Sequence, residues 1–103
     1  MIEIMFSNHQ INQCELKING HSGLSDRGED IVCAAVSVLA QTFVGGCETE
    51  LKANASGCMD SGNCNVVIRV QNSEAEKLQA VYNVFNFGFR KLAQAYPKQV
   101  KMI

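Results

Sequence analysis

Net charge is what this 103-residue chain has least of, since nine Lys and Arg stand against ten Asp and Glu and leave a formal charge of -1. A chain with no long-range field of one sign is not expected to have nucleic acid or an anionic membrane as its main partner. The opening Met1-Ile2-Glu3-Ile4-Met5-Phe6 has no basic stretch ahead of an apolar one, and the sequence reads as having no apolar run near the roughly 20 residues of a membrane span. These absences predict a cytoplasmic protein with no membrane contact. No Cys-x-x-Cys occurs among the five cysteines (Cys14, Cys33, Cys47, Cys58, Cys64), which disfavours a disulfide framework, a zinc knuckle and a thioredoxin-type couple. Cys58 and Cys64, five residues between them, do not have a recognised metal spacing, and no metal ligand set is expected. The odd cysteine count leaves at least one thiol outside any intrachain bridge. Neither an internal repeat nor a low-complexity segment is present, and the single proline is Pro97.

What is there fits one domain over residues 1–103, long enough to bury about two thirds of its unfolded surface. Ile2, Ile4 and Phe6 alternate with Glu3 and Met5, as Cys14, Leu16 and Ile18 do with Glu15, Lys17 and Asn19, so a β-hairpin is expected around the polar Ser7 to Asn12 turn, with His9 solvated in it. From about Glu29 to Val44, Val32, Ala35, Val36, Leu39, Ala40 and Phe43 form a helical stripe, with Glu29 and Asp30 in the first turn and Gly45-Gly46 as the stop. Glu48 to Ala55 and Asn65 to Val70 are expected to pair as a second hairpin across a turn-rich 56–63 segment. Ser73-Glu74-Ala75-Glu76 has the form of a capping box, opening a long helix whose stripe of Leu78, Val81, Tyr82, Phe85, Phe89, Leu92 and Tyr96 runs to Pro97. Val84, Phe87 and Gly88 lie off that stripe, which predicts close packing on a second side, with a two-fold partner chain as a candidate. Val100 and Met102 can add a last strand. The expected class is α+β, an α/β sandwich in the order β-β-α-β-β-α(-β), with two main helices on an antiparallel or mixed sheet of about four to five strands.

The chemistry-bearing pattern is Gly20-His21, a polar loop, then Gly28-Glu29-Asp30-Ile31-Val32-Cys33-Ala34-Ala35-Val36-Ser37. First-turn N–H groups lack intrahelical partners, so a helix start stabilises a thiolate and can offer donors to an oxyanion. Asp30, Cys33 and Ser37, spaced by three and four, share one helix face, and His21 at the loop root can return to it. A thiol with an imidazole in reach is the minimum for nucleophilic attack on an amide. Each residue also has a plainer explanation: Cys33 as a small buried hydrophobe, His21 as a surface residue, Asp30 as a helix-stabilising first-turn acid, Ser37 bonded to the carbonyl one turn earlier.

Gly20-His21-Ser22-Gly23 followed by Gly28 to Ser37, with Gln41-Thr42 beyond and a long second helix ending near Tyr96-Pro97, closely resembles the signature of the bacterial ribosomal-processing cysteine protease family, Prp. The likeness is dense over residues 20–43 and compatible in element order over nearly the whole chain. It implies a homodimeric α/β cysteine endopeptidase that removes the N-terminal extension of a large-subunit ribosomal protein, cutting after an aromatic residue through a thioester, with no cofactor. It also implies that Cys33 is the nucleophile and His21 its base, with Asp30 and Ser37 in support. The loop of Ser22, Gly23, Leu24, Ser25, Asp26, Arg27 and Gly28 would cover the substrate peptide. Ser22 stands where the family more often has alanine, and residues 45–64 follow no pattern of the family. The alternative from another class is a non-catalytic, ribosome-associated peptide-binding module on the same fold. A thiol redox sensor is a third reading, and it requires a resolving cysteine close to Cys33.

Overall fold

The computed structural model describes residues 1–21, 30–60 and 62–103. Its elements run β1 (Ile2–Gln10), β2 (Gln13–Asn19), α1 (Ile31–Glu50), β3 (Asn54–Asp60), β4 (Asn63–Arg69), a 3-10 turn (Asn72–Glu74), α2 (Ala75–Ala95) and β5 (Val100–Met102). The five strands form one mixed sheet in the order β3-β4-β2-β1-β5, antiparallel throughout except for the parallel β1–β5 pair. The α+β architecture and the β-β-α-β-β-α-β order are as the sequence predicts.

Period-2 alternation puts one face of the sheet under the helices. Ile4, Ile18 and Cys64 lie side by side across β1, β2 and β4, as do Phe6, Leu16 and Val66, and all six are buried. Against them α1 sets Val32, Val36, Ala40, Phe43, Val44 and Cys47, while α2 sets Leu78, Tyr82 and Phe89. Phe6 is the centre of this core. Its ring centroid lies 4.9 Å from that of Phe43, 4.4 Å from that of Tyr82 and 5.4 Å from that of Phe89. The buried Tyr82 hydroxyl donates to the Phe6 carbonyl at 2.9 Å, which satisfies its one polar atom within the apolar cluster.

Several boundaries differ from the expectation. The first hairpin turns more tightly, at residues 11–12, so exposed His9 lies within β1. Asp30 is the N-cap of α1 and stands before the first turn. The helix also runs through Gly45-Gly46, because Val44, Cys47 and Leu51 continue the buried stripe; their burial offsets a cost of about 1 kcal/mol per helical glycine. At 20 residues α1 is, against the reading above, long and apolar enough by length and composition to cross a membrane, although its buried stripe here packs on the sheet. The Ser56 to Asp60 segment belongs to strand β3, on the edge of the sheet. No capping box forms at Ser73: the chain enters α2 through the 3-10 turn, and no side chain caps the helix. At Gly88 the close neighbour is Leu39 of α1, within 3.5 Å of where a Cβ would stand, so the second packed side there lies within this chain.

Candidate active site

Helix α1 begins where the β1–β2 ribbon and the β3–β4 hairpin come together. Asp30 fixes that start: its Oδ1 accepts from the N–H groups of Val32 and Cys33, both at 3.0 Å, and its own carbonyl accepts from Ala34 N–H. Capping at this buried carboxylate sets Cys33 in the third helical position, half-buried on the face that looks down the end of the sheet.

His21 follows β2 and is exposed. Two glycines hold its place. Gly20, at φ +100°, passes so close to the chain start that a Cβ there would collide with the Met1 carbonyl oxygen, and its N–H donates to the Gly62 carbonyl at 2.9 Å. Gly62, at φ +75°, is the second anchor: a Cβ on it would stand 2.6 Å from His21 Nε2, so the imidazole lies on the hairpin where no side chain interferes.

Both groups open onto one cleft of about 270 Å³. Cys33, Val36, Ser37, Ala40 and Gln41 of α1 form one wall; Ile2, Ile18, Gly20 and His21 form the floor and one end; Met59, Asp60, Gly62, Asn63 and Cys64 form the other wall. The structure therefore brings His21, Cys33 and Ser37 to a single cavity. Asp30 does not line it and acts on it through the helix start. Ser37 Oγ accepts from Gln41 Nε2 at 2.9 Å, so the bond to the preceding turn expected for it is replaced by one to the following turn. The Val32 and Cys33 N–H groups, expected to serve an oxyanion, are engaged by Asp30 in this conformation. The Ser22–Gly28 loop lies outside the described residues.

The second hairpin is the part of the site that sequence reasoning missed. Its one local signal is the turn glycine Gly62; nothing in the order of residues tells that Met59 and Asp60 of β3 and Asn63 of β4 would share a cleft with α1. Cys64 is a second thiol on the cleft, buried, with Sγ 3.9 Å from the Leu16 carbonyl. Burial, assisted by Cys58, pushes the Cys64 thiol up to about 11, which keeps it protonated near neutral pH. Burial does the same for Cys14, up to about 12 with Cys47 adding to it, and for Cys47, up to about 11.

A half-buried thiol and an exposed imidazole open onto one cleft, carried by a helix start and a sheet end, an arrangement compatible with a cysteine protease. The chain belongs to the cysteine protease Prp family, whose model it matches over residues 1–101. No curated protein matches it. Among solved structures it is similar to SMU.848 from Streptococcus mutans, at 33% identity and TM-score 0.73, covering 99% of this chain and 91% of that one. The ribosomal processing protease Prp from S. aureus, in complex with a covalently linked product peptide, shares the fold at TM-score 0.80 and 16% identity, covering 99% of this chain and 97% of that one. The same protease with a substrate peptide gives TM-score 0.75 and 15% identity, covering 100% and 98%.

Proposed function

We propose that this chain is a cysteine endopeptidase of ribosomal-protein processing, with Cys33 as nucleophile and His21 as its base. The observation that carries the reading is the shared cleft: of the thiols on it, Cys64 is buried and held protonated, which leaves Cys33 to act. His21 takes the Cys33 proton as sulfur attacks the scissile carbonyl; the proton then passes to the departing amine, and water activated by the imidazole releases the acyl group from the thioester. With the Cys33 N–H held by Asp30, the side chains of Ser37, Gln41 and Asn63 on the cleft are the candidate donors for the oxyanion. The substrate is the N-terminal extension of a large-subunit ribosomal protein, cut after an aromatic residue. The cytoplasm is the compartment in which such a substrate is made, and the working unit is a homodimer.

The test is cleavage of a synthetic peptide spanning an aromatic residue and the following segment of such an extension. Cys33→Ala and His21→Ala abolish cleavage, while Cys33→Ala keeps the thermal stability of the parent. Residual turnover by Cys33→Ala would assign the chemistry elsewhere.

A further inference from the structure

Cys33, Ser37 and Gln41 recur at four-residue intervals along α1, and all three line the cleft. Side chains four apart on a helix stand about 5 to 6 Å from each other at Cβ, so Ser37 is the neighbour of Cys33 and Gln41 the neighbour of Ser37. Gln41 Nε2 donates to Ser37 Oγ at 2.9 Å, and among the described residues this is the one hydrogen bond of the Ser37 side chain. Its direction decides where the serine proton goes. A hydroxyl has one proton to donate and two lone pairs with which to accept. A serine inside a helix often donates to the carbonyl one turn earlier, here that of Cys33, which would turn the proton into the helix. With Gln41 as its donor, Ser37 keeps its proton, and on the side away from Gln41 stands Cys33.

Attack of a thiolate on a carbonyl carbon forms the sulfur–carbon bond and moves the π pair of the carbonyl onto oxygen. The Cys33 N–H that a helix start would offer to that oxygen is taken by Asp30. A hydroxyl one turn from the sulfur is the nearest replacement on the α1 wall. Gln41 itself stands two turns from Cys33, roughly 12 Å along the helix axis, and reaches the reaction through Ser37. We infer that Gln41 is a positioning residue, which holds the Ser37 hydroxyl with its proton toward the oxyanion formed at Cys33. The inference rests on the reading of Cys33 as nucleophile and narrows the donors on α1 to Ser37, oriented by Gln41. Both side chains are exposed, so replacing them leaves the core untouched.

Two reagents at one sulfur test it. p-Nitrophenyl acetate acylates a thiol through an oxyanion and releases p-nitrophenolate, whereas iodoacetamide alkylates it by displacement of iodide, with no oxyanion. Both rates are measured for the parent, Ser37→Ala, Gln41→Ala, the double variant and Gln41→Glu, with Cys33→Ala as the blank, alongside kcat and KM for the peptide. Gln41→Ala is expected to slow acylation by about tenfold and to leave alkylation within about twofold of the parent. In peptide cleavage the same loss falls on kcat and leaves KM within about twofold. Ser37→Ala slows acylation on the order of a hundredfold, and adding Gln41→Ala to it costs nothing more, because the two act as a unit. Gln41→Glu, whose carboxylate only accepts, draws the Ser37 proton to itself and slows acylation more than Gln41→Ala does. Additive losses, equal slowing of acylation and alkylation, or acylation of Gln41→Glu at the parent's rate overturns the inference. A parent that shows this acylation pattern yet leaves the peptide uncut upholds the inference and overturns the peptidase reading. A parent no more reactive than the blank overturns both.

Discussion

Gly62 and His21 fit as a bare backbone and a ring: the imidazole occupies the space that any side chain on Gly62 would take, with 2.6 Å between Nε2 and a Cβ built there. The ring's position is therefore set by a residue 41 positions away in sequence, on a different hairpin, and the Gly20 N–H to Gly62 carbonyl bond ties the two together.

Gly62→Ala should cost activity more than stability. An L-residue at φ +75° is strained by about 1 kcal/mol, and the added methyl pushes the imidazole away from the hairpin. A fall in kcat/KM of tenfold or more is expected, with a small loss in the denaturation midpoint. Full activity in a folded Gly62→Ala protein would mean that the ring does not work from this position.

Asp30 is expected to act on stability first. Removing the carboxylate in Asp30→Ala leaves the Val32 and Cys33 N–H groups without their acceptor at a buried helix start, a loss of about 1 to 2 kcal/mol. Asp30→Asn keeps an acceptor oxygen and should recover most of it. Urea denaturation of the three proteins decides; equal midpoints would show that the cap carries no weight.

How far this was legible before the structure depends on whether a signal is local. The β1–β2 ribbon and α2 stand out because burial repeats at period 2 in Ile2, Ile4 and Phe6 and at three to four in Leu78, Tyr82 and Phe89. Gly45-Gly46 reads as a stop because the glycine cost is local, whereas the burial of Cys47 and Leu51 that outweighs it comes from the tertiary packing. The Ser56 to Asp60 part of strand β3 reads as a turn because an edge strand needs little packing and tolerates Ser56, Gly57 and Asp60. His21 and Cys33 on one cleft follow from their order around a loop. Asp60 and Asn63 reach that cleft only through the pairing of β4 with β2, which no local pattern encodes.

The homodimer proposed above would place its contact on the α1–α2 surface. Ile31, Val38 and Phe87 are each more than 60% exposed (62%, 62% and 64%), and Ile31 and Val38 line a groove with Ala34, Ala35, Leu39 and Leu92. An apolar surface of this kind is the part a second copy would cover. Light scattering is expected to give twice the chain mass for the parent and a lower mass for Val38→Lys, with an unchanged circular dichroism spectrum. A monomeric parent at micromolar concentration would remove the dimer from the reading.

The buried thiols make the fold sensitive to alkali. Cys14, Cys47 and Cys64 start from an ordinary value of 9.0 and are raised by burial to about 12, 11 and 11. A raised folded-state value means that the folded chain keeps protons which the unfolded chain releases, so this contribution is whole below pH 9 and is lost as pH climbs through 11 to 12. Tyr82, raised first by burial and then by Cys14 while Arg90 opposes, has the same sign. Melting temperatures should hold steady to about pH 8.5 and drop from about pH 9 to 12, the range in which the thiols of the unfolded chain are ionised and the buried ones keep their protons. Replacing Cys47 by alanine lowers stability at neutral pH through the lost packing and makes the alkaline drop shallower. A drop of the same depth in Cys47→Ala would assign the alkaline loss to groups other than this thiol.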